Sequence, residues 1–138
     1  MAFSYSPKII TDGLVLYLYA ANPYSYVSDS TAWNDISRGG NNGTLINGPT
    51  FSIESLGSIV FDGTNDYVAA TNLTGSTTNS FTLETWVNFT NANSPTFQKI
   101  FHAQSGSSPY SEVNLDNYNG GSGNARYHFY THNWAGTR

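Results

Sequence analysis

The chain predicts an all-β fold, an antiparallel sandwich of two sheets, on three observations. Short runs of β-branched and aromatic residues recur along it, Leu14-Val15-Leu16-Tyr17-Leu18 and Ser58-Ile59-Val60-Phe61 being the clearest. Gly, Asn, Asp and Pro cluster between the runs, and these residues favour turns because they tolerate unusual backbone angles or bond to their own backbone. No segment of useful length places apolar residues three and four apart, so little helix is expected.

Taken in order, residues 1–13 read as an extended arm containing Pro7 and ending in an Asp12-Gly13 turn. A first strand is predicted over 14–20, ended by Asn22-Pro23-Tyr24-Ser25. The loop from Arg38 to Gly43 leads to a strand over 44–47. Strands over 57–62 and 66–71 flank the turn Asp62-Gly63-Thr64-Asn65. Residues 80–90 alternate most clearly: Phe81, Leu83, Val87 and Phe89 share the face expected in the core, and Glu84, Trp86 and Asn88 the other. Strands over 98–104, 111–117 and 125–132 complete the series, with Val113 and Leu115 expected inward. The Gly-rich run Asn119 to Asn124 is a hairpin loop, too short to separate domains, so 14–138 reads as one domain after the arm.

The composition narrows the function classes. In 138 residues, 38% are hydrophobic and 15% aromatic, so the core is expected to use a few large side chains. Net charge is −4, and the basic residues Lys8, Arg38, Lys99, Arg126 and Arg138 are scattered along the sequence. That pattern lacks the clustered positive charge of a nucleic-acid binder, and no nucleic-acid partner is expected. Cysteine is absent, which excludes a disulfide framework and a thiolate metal site. No run approaches the ~20 apolar residues a membrane helix needs, so no membrane insertion is expected. Met1 to Lys8 lacks the charged start and apolar core of a secretory signal, which predicts a protein that is not exported.

Five motifs stand in a recognisable order. They are Asp12 to Pro23, Trp33-Asn34-Asp35-Ile36-Ser37, Asn41-Asn42-Gly43-Thr44-Leu45, Asn47 to Phe51 with Phe61-Asp62-Gly63, and Phe81-Thr82-Leu83-Glu84-Thr85-Trp86-Val87. Together they resemble the first half of a laminin-G-like, or concanavalin A-like, jelly-roll domain. The resemblance departs at Tyr19, where the family usually has Asp, and near Arg38, where it usually has Gly. It implies a partial jelly roll whose closing strands do not follow in this sequence. It also implies a binding and assembly role: a virion structural protein of a tailed phage, as capsid decoration or as part of a tail or fibre. Its partners would be other virion proteins or copies of itself, with a cell-surface glycan as a further ligand. The alternative is the carbohydrate-binding module of a secreted bacterial protein. The virion is the expected location and no cofactor is expected.

The candidate ligand-binding residues lie on one predicted strand. Period two places Glu112, Asn114 and Asp116 on its outward face, with Tyr110 and Tyr118 at either end of that row. Jelly-roll glycoside hydrolases similar to this fold carry Glu, Asp and Glu in that alternation, as nucleophile and acid/base. Here Asn114 replaces the middle carboxylate and the shorter Asp116 the last one, so the resemblance implies sugar contact without catalysis. Asp29, Asp35, Asp62 and Asp66 have the oxygens calcium takes, but lack the spacing of a calcium loop and read as turn formers. No metal site is expected. His128 and His132 share a strand face with Tyr130 about 13 Å apart, too far to hold one metal, and with His102 they read as surface histidines. Among Tyr17, Tyr19, Tyr24, Tyr26, Trp33, Tyr110, Tyr118 and Trp134, most are expected to pack in the core or loops; Tyr110 and Tyr118 are the expected sugar-stacking pair.

Overall fold

Turn chemistry, more than strand length, organises the first half of the protein. The structure is a computed structural model and describes residues 9–70, 81–90, 98–104, 110–118 and 126–134. The chain divides into two units, Met1–Leu73 and Thr74–Arg138. Both are built of antiparallel strands, and the one helical element among the described residues is a single 3-10 turn.

In the first unit β1 (Ala32–Trp33), β2 (Gly43–Ile46) and β5 (Tyr67–Ala70) form one sheet in the order β1-β2-β5. β2 pairs along its length, Gly43 with Ala70 through Ile46 with Tyr67. It alternates as a half-covered strand should, with Gly43 and Leu45 buried and Thr44 exposed. Asn47 (φ 70°) and Gly48 (φ 104°) then turn the chain in the left-handed region, which these two residue types tolerate best. β3 (Thr50–Ser52) and β4 (Ser58–Val60) follow as a separate two-stranded ladder joined through the 3-10 turn Glu54–Leu56. Leu45 and Tyr26 are only 5% and 4% exposed and anchor the core. The Tyr26 ring lies 5.5 Å from that of Phe51 and 6.3 Å, edge-on, from that of Trp33, so three aromatic rings from separate segments meet there.

Gly57 shows how tightly this unit closes. Its φ is 114°, and a Cβ there would sit 2.9 Å from the Ala21 Cα, a backbone atom that cannot step aside. Gly57→Ala is therefore expected to lower stability by about 2–4 kcal/mol through combined strain and overlap. A urea denaturation midpoint within error of the parent protein would refute this.

The strand predicted over 14–20 does not form as a ladder strand. Side chains take the place of a neighbouring strand. The Tyr17 N–H donates to Asp35 Oδ1 (2.8 Å), the Tyr19 N–H to Ser25 Oγ (3.0 Å), and Asn41 Nδ2 to the Val15 carbonyl (2.6 Å). One backbone bond joins them, from Ile36 N–H to the Tyr17 carbonyl at 3.0 Å. Leu14, Leu16, Tyr17 and Leu18 are half-buried, Val15 is exposed and Ala20 is buried, and the partner of this segment is an irregular loop.

In the second unit β6 (Gln98–Gln104), β7 (Tyr110–Tyr118) and β8 (Arg126–Trp134) form one antiparallel sheet in that order. β7 and β8 pair without interruption from Tyr110 with Trp134 to Tyr118 with Arg126. β6 pairs with β7 from Gln104 opposite Glu112 to Gln98 opposite Asn117. Its register shifts between Lys99 and Phe101, so Ile100 is an extra residue. The predictions over 98–104, 111–117 and 125–132 are met within two residues at each end.

The strand predicted over 80–90 is not formed across 81–90. Leu83 and Phe89 are half-buried as expected, but Phe81 and Val87 are exposed, and Trp86 is 92% exposed. Alternation states which face could be covered; a strand also needs a neighbour in register, and that information lies elsewhere in the chain. Phe81 instead meets Phe129 of β8, ring centroids 6.3 Å apart.

Candidate functional site

Of the acidic residues open to ion binding in the sequence, Asp35 and Asp62 accept local backbone and hydroxyl donors, while Asp66 Oδ1 is buried without a hydrogen-bond partner among the described residues. Asp35 gathers the loop after β1: Oδ1 accepts the N–H groups of Tyr17 and Ser37, and Oδ2 accepts the Ser37 hydroxyl and the Asn41 N–H, all at 2.8 Å. Burial pushes its carboxyl up, but the bonds from Tyr17, Ser37 and Asn41 outweigh that and hold it below the ordinary carboxylate value. Asp62 is an exposed turn former. Its Oδ1 accepts Thr64 N–H (2.7 Å) and Asn65 N–H (3.4 Å), and its own N–H donates to Asp66 Oδ2 (3.0 Å). The Thr64 bond is the main cause that lowers its pKa. Asp29 sits at φ 66° in a turn. Burial first, and the Asp29 charge second, push the Tyr26 phenol up. Among the described residues no three His, Asp or Glu gather to hold a metal ion.

The aromatic candidates of the first unit divide as their burial dictates. Tyr26 and Trp33 belong to the ring cluster of the core. Tyr17 and Tyr19 stack with centroids 6.0 Å apart, Tyr17 half-buried and Tyr19 exposed. Tyr24 is exposed on the loop that its own N–H bond to Asn22 Oδ1 shapes.

The β6-β7-β8 sheet brings the five predicted ligand residues into a wider arrangement. Tyr110, Glu112, Asn114, Asp116 and Tyr118 occupy alternate positions of β7 and therefore one face. The register sets Trp134 opposite Tyr110, His132 opposite Glu112, Tyr130 opposite Asn114, His128 opposite Asp116 and Arg126 opposite Tyr118. On the other side of β7, Gln104 faces Glu112, His102 faces Asn114, and Lys99 faces Asp116. Residues directly opposite in antiparallel strands have Cβ atoms about 4.5–5.5 Å apart, so each row is a neighbourhood of possible interaction. Lys99 and His102 on this face are exposed, whereas Phe101, Ala103 and Leu115 on the reverse face are half-buried. Phe129, also on the reverse face, is exposed.

The sequence reading found the β7 row and placed His128, Tyr130 and His132 on one strand face, but it read the histidines as surface groups and did not set that strand opposite β7. The missed signal was the matching alternation Arg126, His128, Tyr130, His132, Trp134 beyond a Gly-rich hairpin loop. Folding the two nine-residue strands on each other about that loop aligns each histidine with a carboxylate. Lys99 could not be aligned this way, because the extra Ile100 changes the parity of β6 between it and His102.

No family model, curated protein or solved structure matches this chain.

Proposed function

We propose that this chain is a non-enzymatic structural protein of a tailed-phage particle, a capsid decoration or a tail or fibre component, that contacts a cell-surface glycan. The virion setting is supported by the five-motif resemblance. The glycan contact rests on one observation: the rows of the β6-β7-β8 face alternate aromatic residues with hydrogen-bonding ones. A sugar ring offers apolar C–H faces to aromatic rings and a rim of hydroxyls to carboxylates and amides, so both halves of that alternation have a use. Asn114 argues against hydrolysis, since an amide supplies neither the charge nor the proton transfer that a carboxylate would. The same face would serve a carbohydrate-binding module of a secreted bacterial protein.

Two measurements test the proposal. On an immobilised glycan panel, Asn114→Ala and Tyr118→Ala should each weaken binding at least about tenfold, the scale of a central contact at a binding surface, with circular dichroism unchanged. Binding that survives both substitutions would remove this face from the reading. Antibodies raised against the chain should label tailed-phage particles; labelling of a secreted bacterial enzyme instead would favour the module.

A further inference from the structure

The chain contains the Asn-Gly pairs Asn42-Gly43, Asn47-Gly48 and Asn119-Gly120, the last of them outside the described residues. Asparagine before glycine is open to deamidation, because glycine has no side chain to keep its backbone nitrogen from the asparagine Cγ. The fold treats the two described pairs in opposite ways. Gly43 is buried in β2, paired with Trp33 on one side and Ala70 on the other. A Cβ there would lie 2.8 Å from Val68 Cγ1, so the backbone has little room to turn. Asn42 Oδ1 is also held, by the Asp35 N–H at 2.9 Å. Asn47 and Gly48, by contrast, are both exposed and lie between β2 and β3, with left-handed φ values of 70° and 104°. Beyond its chain neighbours nothing lies within 4 Å of where a Gly48 Cβ would be. The Gly48 N–H has no hydrogen-bond acceptor among the described residues.

We propose that Asn47 is a self-modification site, where water replaces the side-chain amide and unties the turn between β2 and β3. The Gly48 nitrogen, its proton taken by base, attacks Asn47 Cγ. The Cγ–Nδ2 bond breaks and Nδ2 leaves as ammonia. The succinimide ring so formed takes up one water at either carbonyl and opens to aspartate or to isoaspartate. One water enters and one ammonia leaves. The nitrogen lost is the one that ties the fold together here. Asn47 Nδ2 donates to the Asn65 carbonyl at 2.6 Å, just past Ile46 and Tyr67, the last pair of the β2-β5 ladder. A carboxylate has no proton to give and sets oxygen against oxygen at that point. It also adds negative charge beside a turn that already carries Asp62 and Asp66. Isoaspartate lengthens the backbone as well, since the chain then runs through the side-chain carbon. None of this depends on the glycan reading.

The experiment holds the full folded chain at one mildly acidic and one mildly alkaline pH and follows chymotryptic peptides by mass spectrometry. Cleavage after Leu45 and Phe51 separates Asn42 from Asn47. The Asn47 peptide should gain about one dalton, the difference between hydroxyl and amine, and appear as separate aspartate and isoaspartate products. The gain should be faster at alkaline pH, because the attacking nitrogen must first lose its proton. The Asn42 peptide should stay unchanged in the folded chain and gain mass only in urea. Asn47→Asp should lower the urea midpoint relative to the parent, and the aged parent should move the same way. Equal conversion of Asn42 and Asn47 in the folded chain, or conversion of neither, would overturn the site. Conversion at Asn47 with an unchanged urea midpoint in both the aged parent and Asn47→Asp would overturn the untying of the turn.

Discussion

Gly39→Ala is expected to cost the first unit about 3–5 kcal/mol, a large share of the stability of a small domain. A Cβ on Gly39 would collide with the carbonyl oxygen of Val15, approach Asn41 Nδ2 to 2.6 Å and the Val15 carbonyl carbon to 3.1 Å. Two of these atoms are backbone, so relief requires the 14–20 segment to move. That segment is held by Asn41 Nδ2 on the Val15 carbonyl and by Ile36 on the Tyr17 carbonyl, and both bonds would stretch or break. Gly40→Ala is the matched control. Gly40 has a left-handed φ of 66° but open space around its missing Cβ, so its substitution should cost only about 1–2 kcal/mol. Thermal melts should separate the two variants by about 10 °C or more, given the few degrees per kcal/mol expected at this size. Equal melting temperatures would show that the Val15 contact does not constrain the fold.

Asp35→Asn is expected to cost about 2–4 kcal/mol at pH 7, because an amide has one acceptor oxygen for four donors that converge on two. The pH dependence carries a sign. The folded carboxyl is held below its ordinary value, so an unfolded chain takes up that proton at higher pH than the folded one. The stabilisation is therefore complete above the ordinary aspartate range, near pH 4, and is lost as pH falls through the folded value. The parent protein and Asp35→Asn should differ most at neutral pH and converge towards pH 3. Urea midpoints at several pH values measure this, and a difference that persists unchanged to pH 3 would contradict the role assigned to Asp35.

Local chemistry explains which parts of this architecture were legible in the sequence. The Asp12-Gly13 and Asp62-Gly63 turns read directly, because each depends on the angles and side-chain bonds of the turn residues themselves, whereas Asn47, read as the end of a strand, turns the chain. The three long strands read well for the same reason: each carries its own alternation. Residues 14–20 and 81–90 read equally well as strands and are not, because their partners are set by distant residues. For 14–20 the partners are the side chains of Ser25, Asp35 and Asn41, which no strand pattern announces. The candidate site was half legible. Its β7 row is a property of one strand, whereas its histidines, Lys99 and Arg126 join only through register. Residues 1–8, which make up most of the predicted arm, lie outside the described residues. No helix among the described residues is long and apolar enough to cross a membrane.

The supernumerary Ile100 carries a consequence for how such a surface evolves. Without it, an odd-numbered lysine and an even-numbered histidine of one strand would lie on opposite sides of the sheet. Inserting or deleting one codon in this stretch would thus transfer Lys99 from one side to the other while every letter of the neighbouring strands stayed the same. The make-up of this face can therefore change by length change alone, a route invisible to any comparison that scores only substitutions.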